Sequence, residues 1–317
     1  MRDLPSDLPE DPTSEQVNAW VELAELVGDD SFRQTVRRMV LSGEEDNRLE
    51  YGLNLRPLVL EHAGGALSRG IAPESPRTHL ILERIMPDDL PAEETAALIT
   101  WLEMVAEPRV ERYWQLLSIL KGQEFWNKVG QTRAADVSFV LDELTGAHPL
   151  WKGASLIAPS RIAMAGHSAG GASAIAAMLN DTRVRAGLNM DGTTFSPIPN
   201  SGLSRPFLFL GAQAMHSPGG KDTAWERDWA HLTGWKRWLV VTGAEHASFT
   251  DTALLVEQLG IYRNPGLSAE RAVEITRGTV RAFLDLHLHH KPHPLLDKPS
   301  TRYPEVKRCD VVQKTCA

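Results

Sequence analysis

Residues 161–174 read RIAMAGHSAGGASA, a short apolar run that ends in Gly166-His167-Ser168-Ala169-Gly170 and then turns small and helix-friendly. The Gly-x-Ser-x-Gly pattern has a mechanical reason. A nucleophilic serine on a sharp strand-to-helix turn strains its own backbone, and its neighbours must be small for strand and helix to approach. Here an apolar run precedes Ser168, Gly166 and Gly170 flank it, and Gly171, Ala172 and Ala174 keep the following helix thin. Ser168 is therefore the expected nucleophile. The plain alternative for such a pentapeptide is an ordinary Gly/Ser-rich turn.

A serine hydroxyl is a poor nucleophile at neutral pH. It needs a base to take its proton, and the base needs an acid to hold its tautomer. With this type of elbow the chain order is serine, acid, histidine. His246, in TGAEHASF directly after the apolar run 238–241, is the expected base. His167 lies in the elbow itself, His216 in a loop and His231 in a helical stretch, and all three are less well placed. Two acids compete, Asp191 at the end of GLNMDG and Asp222 in the loop after 207–210. Spacing does not separate them, since a strand-end turn and a helix cap are common places for aspartate.

Outward from the elbow, apolar runs at 162–165, 184–190, 207–210 and 238–241 alternate with helix-compatible stretches at 169–179 and 224–232. Parallel pairing needs a crossover of about a dozen residues, so this alternation predicts an α/β fold with a parallel sheet. A last helix is expected over about 268–287, before a tail rich in Pro, Lys and His. The first 125 residues read as helices instead. Thr13 and Gln16 have the spacing of a capping box ahead of a helix over 14–27, a second helix carries Phe32, Val36, Met39 and Val40, a third runs over 93–105, and Pro108 opens one that Gly122 closes. Two regions are expected, an all-α one over 1–125 and an α/β one over 126–317.

Charge follows the same division. The net charge is −8, yet residues 1–125 carry −12 and residues 126–317 carry +4. Neither region shows the dense Lys/Arg stripe of nucleic-acid binding. An acidic, Pro-rich start and the lack of an apolar span of about 18 residues predict a soluble cytoplasmic protein with no membrane span. In that compartment Cys309 and Cys316, both in a polar C-terminal stretch, are expected as free thiols.

Residues from about 133 to 308, through RIAMAGHSAGGASA, RAGLNMDGT, SRPFLFLGAQ, WKRWLVVTGAEHASFTD and RYPEVKRC, resemble bacterial α/β-hydrolases related to platelet-activating factor acetylhydrolase and to polyester-cleaving esterases. In the acetylhydrolase-like branch the acid follows the strand after the elbow, so the resemblance implies Asp191. Residues from about 5 to 121, through DPTSEQVNAWVELAELVGDDSFRQTVRRM and EPRVERYWQLLSILKG, are similar to the helical effector region of MerR-type regulators. The DNA-binding part of that family would lie upstream of Met1, so no DNA-reading role carries over. The fold expected is thus a parallel-sheet α/β-hydrolase core, without its early strands, behind an all-α region.

Acyl transfer also needs donors aimed at the developing oxyanion. The backbone N–H of Ala169 is one. The second normally comes from a loop after an early strand, and Ala63, Gly64 and Gly65 are the alternative oxyanion loop if 57–61 is a strand. Pro57 and the regulator-like pattern favour a helix there. Four histidines, 287, 289, 290 and 293, form a tract with no carboxylate or cysteine at ligand spacing and are expected as solvated tail. SPGGK at 217–221 is too short for a phosphate loop. Tryptophans 225, 229, 235 and 238 are expected mainly in the core rather than in an acyl pocket.

The function expected is a serine hydrolase acting on a small-molecule, short-chain carboxylic ester through an acyl-enzyme, with no metal and no organic cofactor. Its activity would be weak if Ala169 is the one oxyanion donor. The rival is a non-catalytic fusion of a helical sensor-like domain with a hydrolase remnant that binds a ligand or stabilises an assembly.

Overall fold

The computed structural model describes residues 11–44, 69, 107–149, 151–220 and 222–317. The chain divides into two compact units, one over Ser6–Leu117 and the other essentially over Ser118–Ala317. In the first unit, α1 (Ser14–Gly28) starts from the capping box expected of Thr13 and Gln16. Gln16 N donates to Thr13 Oγ1 at 3.2 Å, and Thr13 N to Gln16 Oε1 at 3.0 Å. Two orphan donors of the first turn are satisfied this way. The helix α2 (Asp30–Glu44) follows at once, with Phe32 buried. The next described helix, α3 (Pro108–Thr145), is broken where expected, at Gly122, whose φ of 71° and ψ of 173° leave the helical region. Only glycine takes that conformation without cost. The expected helix over 93–105 and the segment 57–61, with Ala63, Gly64 and Gly65 behind it, lie outside the described residues.

The second unit is an α/β-hydrolase fold built on a six-stranded sheet in sequential order. Strands β1 (Ile162–His167), β2 (Val184–Met190), β3 (Phe207–Ala212) and β4 (Lys236–Val241) run parallel. The helix α4 (Ala169–Asn180) joins the first two, while α5 (Gln213–His216) and α6 (Ala224–Trp229) lie between the last two. After β4 come α7 (Asp251–Gln258) and α8 (Ala269–His289). Side chains along a strand alternate between faces. Leu208, Leu210, Leu239 and Val241 accordingly pack with Ala272, Ile275 and Phe283 of α8, whereas Phe207, Phe209, Trp238 and Val240 pack with Ile175 and Met178 of α4 and Trp225 of α6. All six residues of β3 are buried, the mark of a strand covered on both faces. At about 1.5–3 kcal/mol for each large side chain fully buried, these two layers hold the strand ends that carry the site.

The C-terminal stretch departs from expectation. Residues read as a polar tail form β5 (Val306–Asp310), antiparallel to β4, and β6 (Thr315–Cys316), antiparallel to β5. Cys309 faces Cys316 in register, and the two are joined as a disulfide rather than left as free thiols. A hairpin brings facing residues close enough for the bond, which reading the segment as a tail obscured. His287 is likewise not solvated, for its ring packs 4.3 Å from Trp235 and 4.9 Å from Phe283. No described helix is long and apolar enough to cross a membrane.

Candidate active site

Ser168 sits between the end of β1 and the start of α4 with φ 56° and ψ −126°. A non-glycine residue there is strained, and it persists only where its surroundings over-determine it. The surroundings do so here. Ser168 N donates to Met190 O at 2.9 Å, and a Cβ on Gly166 would come within 2.3 Å of the Gly170 backbone. Strand and helix meet in contact at the elbow, and the motif's glycines are what allow it. Ala169 opens α4, so its N–H has no acceptor within the helix. Ala169 lines a small recess with Trp126, Phe195, Ala172 and Ser173, in which Trp126 stacks on Phe195 with ring centroids 5.3 Å apart.

Asp191 follows β2 with a φ of 56°, a second strained turn beside the first. The loop is held by Asn189, which is fully buried and grips Gly192 twice. Its Nδ2 donates to Gly192 O at 2.7 Å, and its Oδ1 accepts from Gly192 N at 2.9 Å. Trp225 Nε1 donates to the same carbonyl at 2.8 Å. Asp191 and the elbow come into register through Gly192, where a Cβ would lie 2.1 Å from Ser168 O.

The carboxylate of Asp191 has two distinct ends. Oδ2 is 2.7 Å from His246 Nδ1, and Oδ1 accepts from the backbone N–H of Ala212 at 2.6 Å. Burial alone would raise its pKa. The hydrogen bond from His246, the nearby His216 and the Ala212 N–H outweigh burial, and the pKa is lowered. His246 begins a 3₁₀ turn, His246–Phe249, in the loop after β4, and its side chain is 36% exposed, open enough to meet a substrate.

The other expected residues lie nearby. His167, one residue before Ser168, places Nε2 2.9 Å from His246 O, with the two rings 4.3 Å apart. Burial, and then repulsion by His246, lower its pKa to about 4, so it is neutral near pH 7. Asp222 does not reach His246 through any contact described. It accepts from Thr193 Oγ1 at 2.6 Å and from Ala224 N, at the start of α6, at 2.8 Å. His216, read from sequence as a loop histidine, is buried between the two acids. Sequence reasoning missed it, along with Asn189, Gly192 and Trp126. A polar residue inside the apolar run 184–190 was the available signal for Asn189. Among the described residues no cluster of three or more His, Cys, Asp or Glu is arranged to hold a metal ion.

Comparison with known proteins places the region. Residues 137–293 match the family described as platelet-activating factor acetylhydrolase, isoform II, and form a domain of that family. A protein of Arthroderma benhamiae named a probable 1-alkyl-2-acetylglycerophosphocholine esterase is 31% identical, the match covering 57% of this chain and 49% of that one. The structure of a ferulic acid esterase from Streptomyces cinnamoneus is 42% identical with a TM-score of 0.53, covering 58% of this chain and 56% of that one. The chain thus spans about half the length of that curated relative.

Proposed function

We propose that the protein is a serine hydrolase that cleaves short-chain carboxylic esters through an acyl-enzyme intermediate. The observation that carries the reading is the buried Asp191 carboxylate 2.7 Å from His246 Nδ1, next to a serine in a strained elbow. Asp191 holds His246 with its proton on Nδ1, which leaves Nε2 as the base. Ser168 Oγ gives its proton to Nε2 as it attacks the ester carbonyl. The negative charge that develops on the carbonyl oxygen is met by the Ala169 N–H at the N-terminus of α4. His246 then returns the proton to the departing alkoxide, and a water repeats the sequence to release the acid.

The two esterases named above, one for an acetyl ester and one for ferulic acid esters, support a small-molecule ester as substrate. Beside the elbow, Trp126, Phe195 and Ala169 line a small, mainly apolar recess. Loss of one oxyanion donor costs about 10²- to 10³-fold, so a site that relies on Ala169 alone is a weak esterase. For residues about 5–121 the resemblance to a MerR-type effector region assigns no ligand. A non-catalytic hydrolase remnant is not favoured, because a remnant has no need to keep the strain at Ser168 together with the Asp191–His246 pair.

A fluorophosphonate probe tests the proposal. Ser168 should be labelled in the native protein and not in Ser168→Ala, with matching loss of p-nitrophenyl acetate turnover. Equal labelling of native and heat-denatured protein, or of the variant, would sink it.

A further inference from the structure

His216 is a buried titratable side chain that this mechanism leaves unused. It closes α5 and is 1% exposed. Its ring lies flat on Trp225, with centroids 4.0 Å apart and planes 8° apart. Its carbonyl accepts from Trp238 Nε1 at 2.8 Å, and a Cβ on Gly211 would lie 2.9 Å from its Cδ2. The ring therefore has no room to swing.

Held in that way, its two nitrogens face two carboxylates. Nε2 is 3.4 Å from Asp191 Oδ1, and Nδ1 is 3.4 Å from Asp222 Oδ2. The Asp191 and Asp222 side chains are only 2% and 7% exposed, so water does not screen the contacts. A neutral imidazole has one N–H and one lone pair, and between two ionised carboxylates it leaves a lone pair facing one of them. Only a doubly protonated ring could donate to both, and as placed Nδ1 is buried without a hydrogen-bond partner. Burial opposes that charge and lowers the pKa of His216, while Asp191 and Asp222 favour the charge and His246 repels it.

Resting on the esterase reading above, we infer that His216 is a positioning residue. It turns Nε2 toward Asp191, with Asp222 on its other side, and sets how much of the Asp191 charge reaches His246. The two acids that compete in the sequence are then parts of one array, with Asp191 against the base and Asp222 one histidine behind it. Deleting the ring nitrogens leaves Asp191 Oδ1 with the Ala212 N–H and gives His246 the carboxylate's full charge. His246 becomes harder to deprotonate, and its acid is less firmly aimed.

The experiment compares His216→Phe, which keeps a flat ring on Trp225 without nitrogen, with His216→Gln, whose amide N–H reaches toward Asp191. Both are assayed with p-nitrophenyl acetate across pH. For His216→Phe the expected result is a kcat lower by about tenfold, a KM within about twofold, and an acid limb of kcat/KM displaced to higher pH; His216→Gln recovers part of kcat. Wild-type kcat and acid limb in His216→Phe, or equal loss in both variants, would overturn the inference. If His216→Phe does not fold, the acid limb of His216→Gln decides, displaced upward in support or unmoved against. Failure of the esterase reading looks different, since the wild-type protein itself would then show no turnover and no labelling of Ser168.

Discussion

Replacing Asp191 by asparagine is the most discriminating perturbation, because the structure dictates how the new amide sits. One end of the side chain faces the Ala212 N–H at 2.6 Å, and the other faces His246 Nδ1 at 2.7 Å. Ala212 needs an acceptor, so the amide oxygen takes that end and the NH₂ turns to His246. The reverse orientation would leave a buried N–H facing another N–H, at a cost of about 1–3 kcal/mol. An NH₂ against Nδ1 makes that nitrogen an acceptor and moves the ring proton to Nε2, the position that takes the Ser168 proton in the proposed mechanism. A loss of about 10⁴-fold in kcat is expected, the size found where a triad aspartate is neutralised without moving it. In Asp222→Asn the new NH₂ donates to His216 Nδ1 and leaves Asp191 with its partner, so the expected loss is below about tenfold. Turnover of p-nitrophenyl acetate, with Ser168→Ala as background, measures both. If Asp222→Asn is the more damaged variant, or Asp191→Asn keeps more than about a tenth of the wild-type rate, the assignment of the acid is wrong.

Gly192→Ala should lower kcat by about 10²-fold, because its Cβ would lie 2.1 Å from Ser168 O and push the elbow out of register with Asp191; an unchanged kcat would show that the loop yields freely. Stability should fall as pH drops from 6.5 toward 4. His167 and His287 are held neutral by burial with pKa values of about 4 against an ordinary 6.5, and take up protons in that window only on unfolding. Tm at pH 5 should thus lie below Tm at pH 7, with a smaller difference in His287→Phe, and equal Tm values at the two pH values would count against it. Replacing Cys309 and Cys316 by serine opens a short loop and should cost about 2–3 kcal/mol in denaturant unfolding. Its kcat should stay within about twofold, since β5 and β6 lie at the opposite end of the sheet from β1; a large loss of activity would tie the hairpin to the site.

The order of strands and helices was legible because it is written in local pattern. Each apolar run from 162 to 241 became a strand, since a strand buried on both faces needs a continuous run and its turns need small or acidic residues. The capping box at Thr13 and the break at Gly122 were legible for the same reason, each being a matter of three or four neighbouring residues. The C-terminal hairpin was not. Its pairing is with β4, more than 60 residues earlier in the chain, and its alternation is too short to rise above a polar tail. Ser168 and its glycines could be named from 14 residues, because an elbow is a local geometry. Which acid faces His246 depends on where three separate strand ends arrive, and spacing along the chain carries no such distance. Spacing left the two acids open and the family resemblance pointed to Asp191; the packed sheet lays Asp191 against His246, turns Asp222 instead to Thr193 and the start of α6, and buries a loop histidine between them.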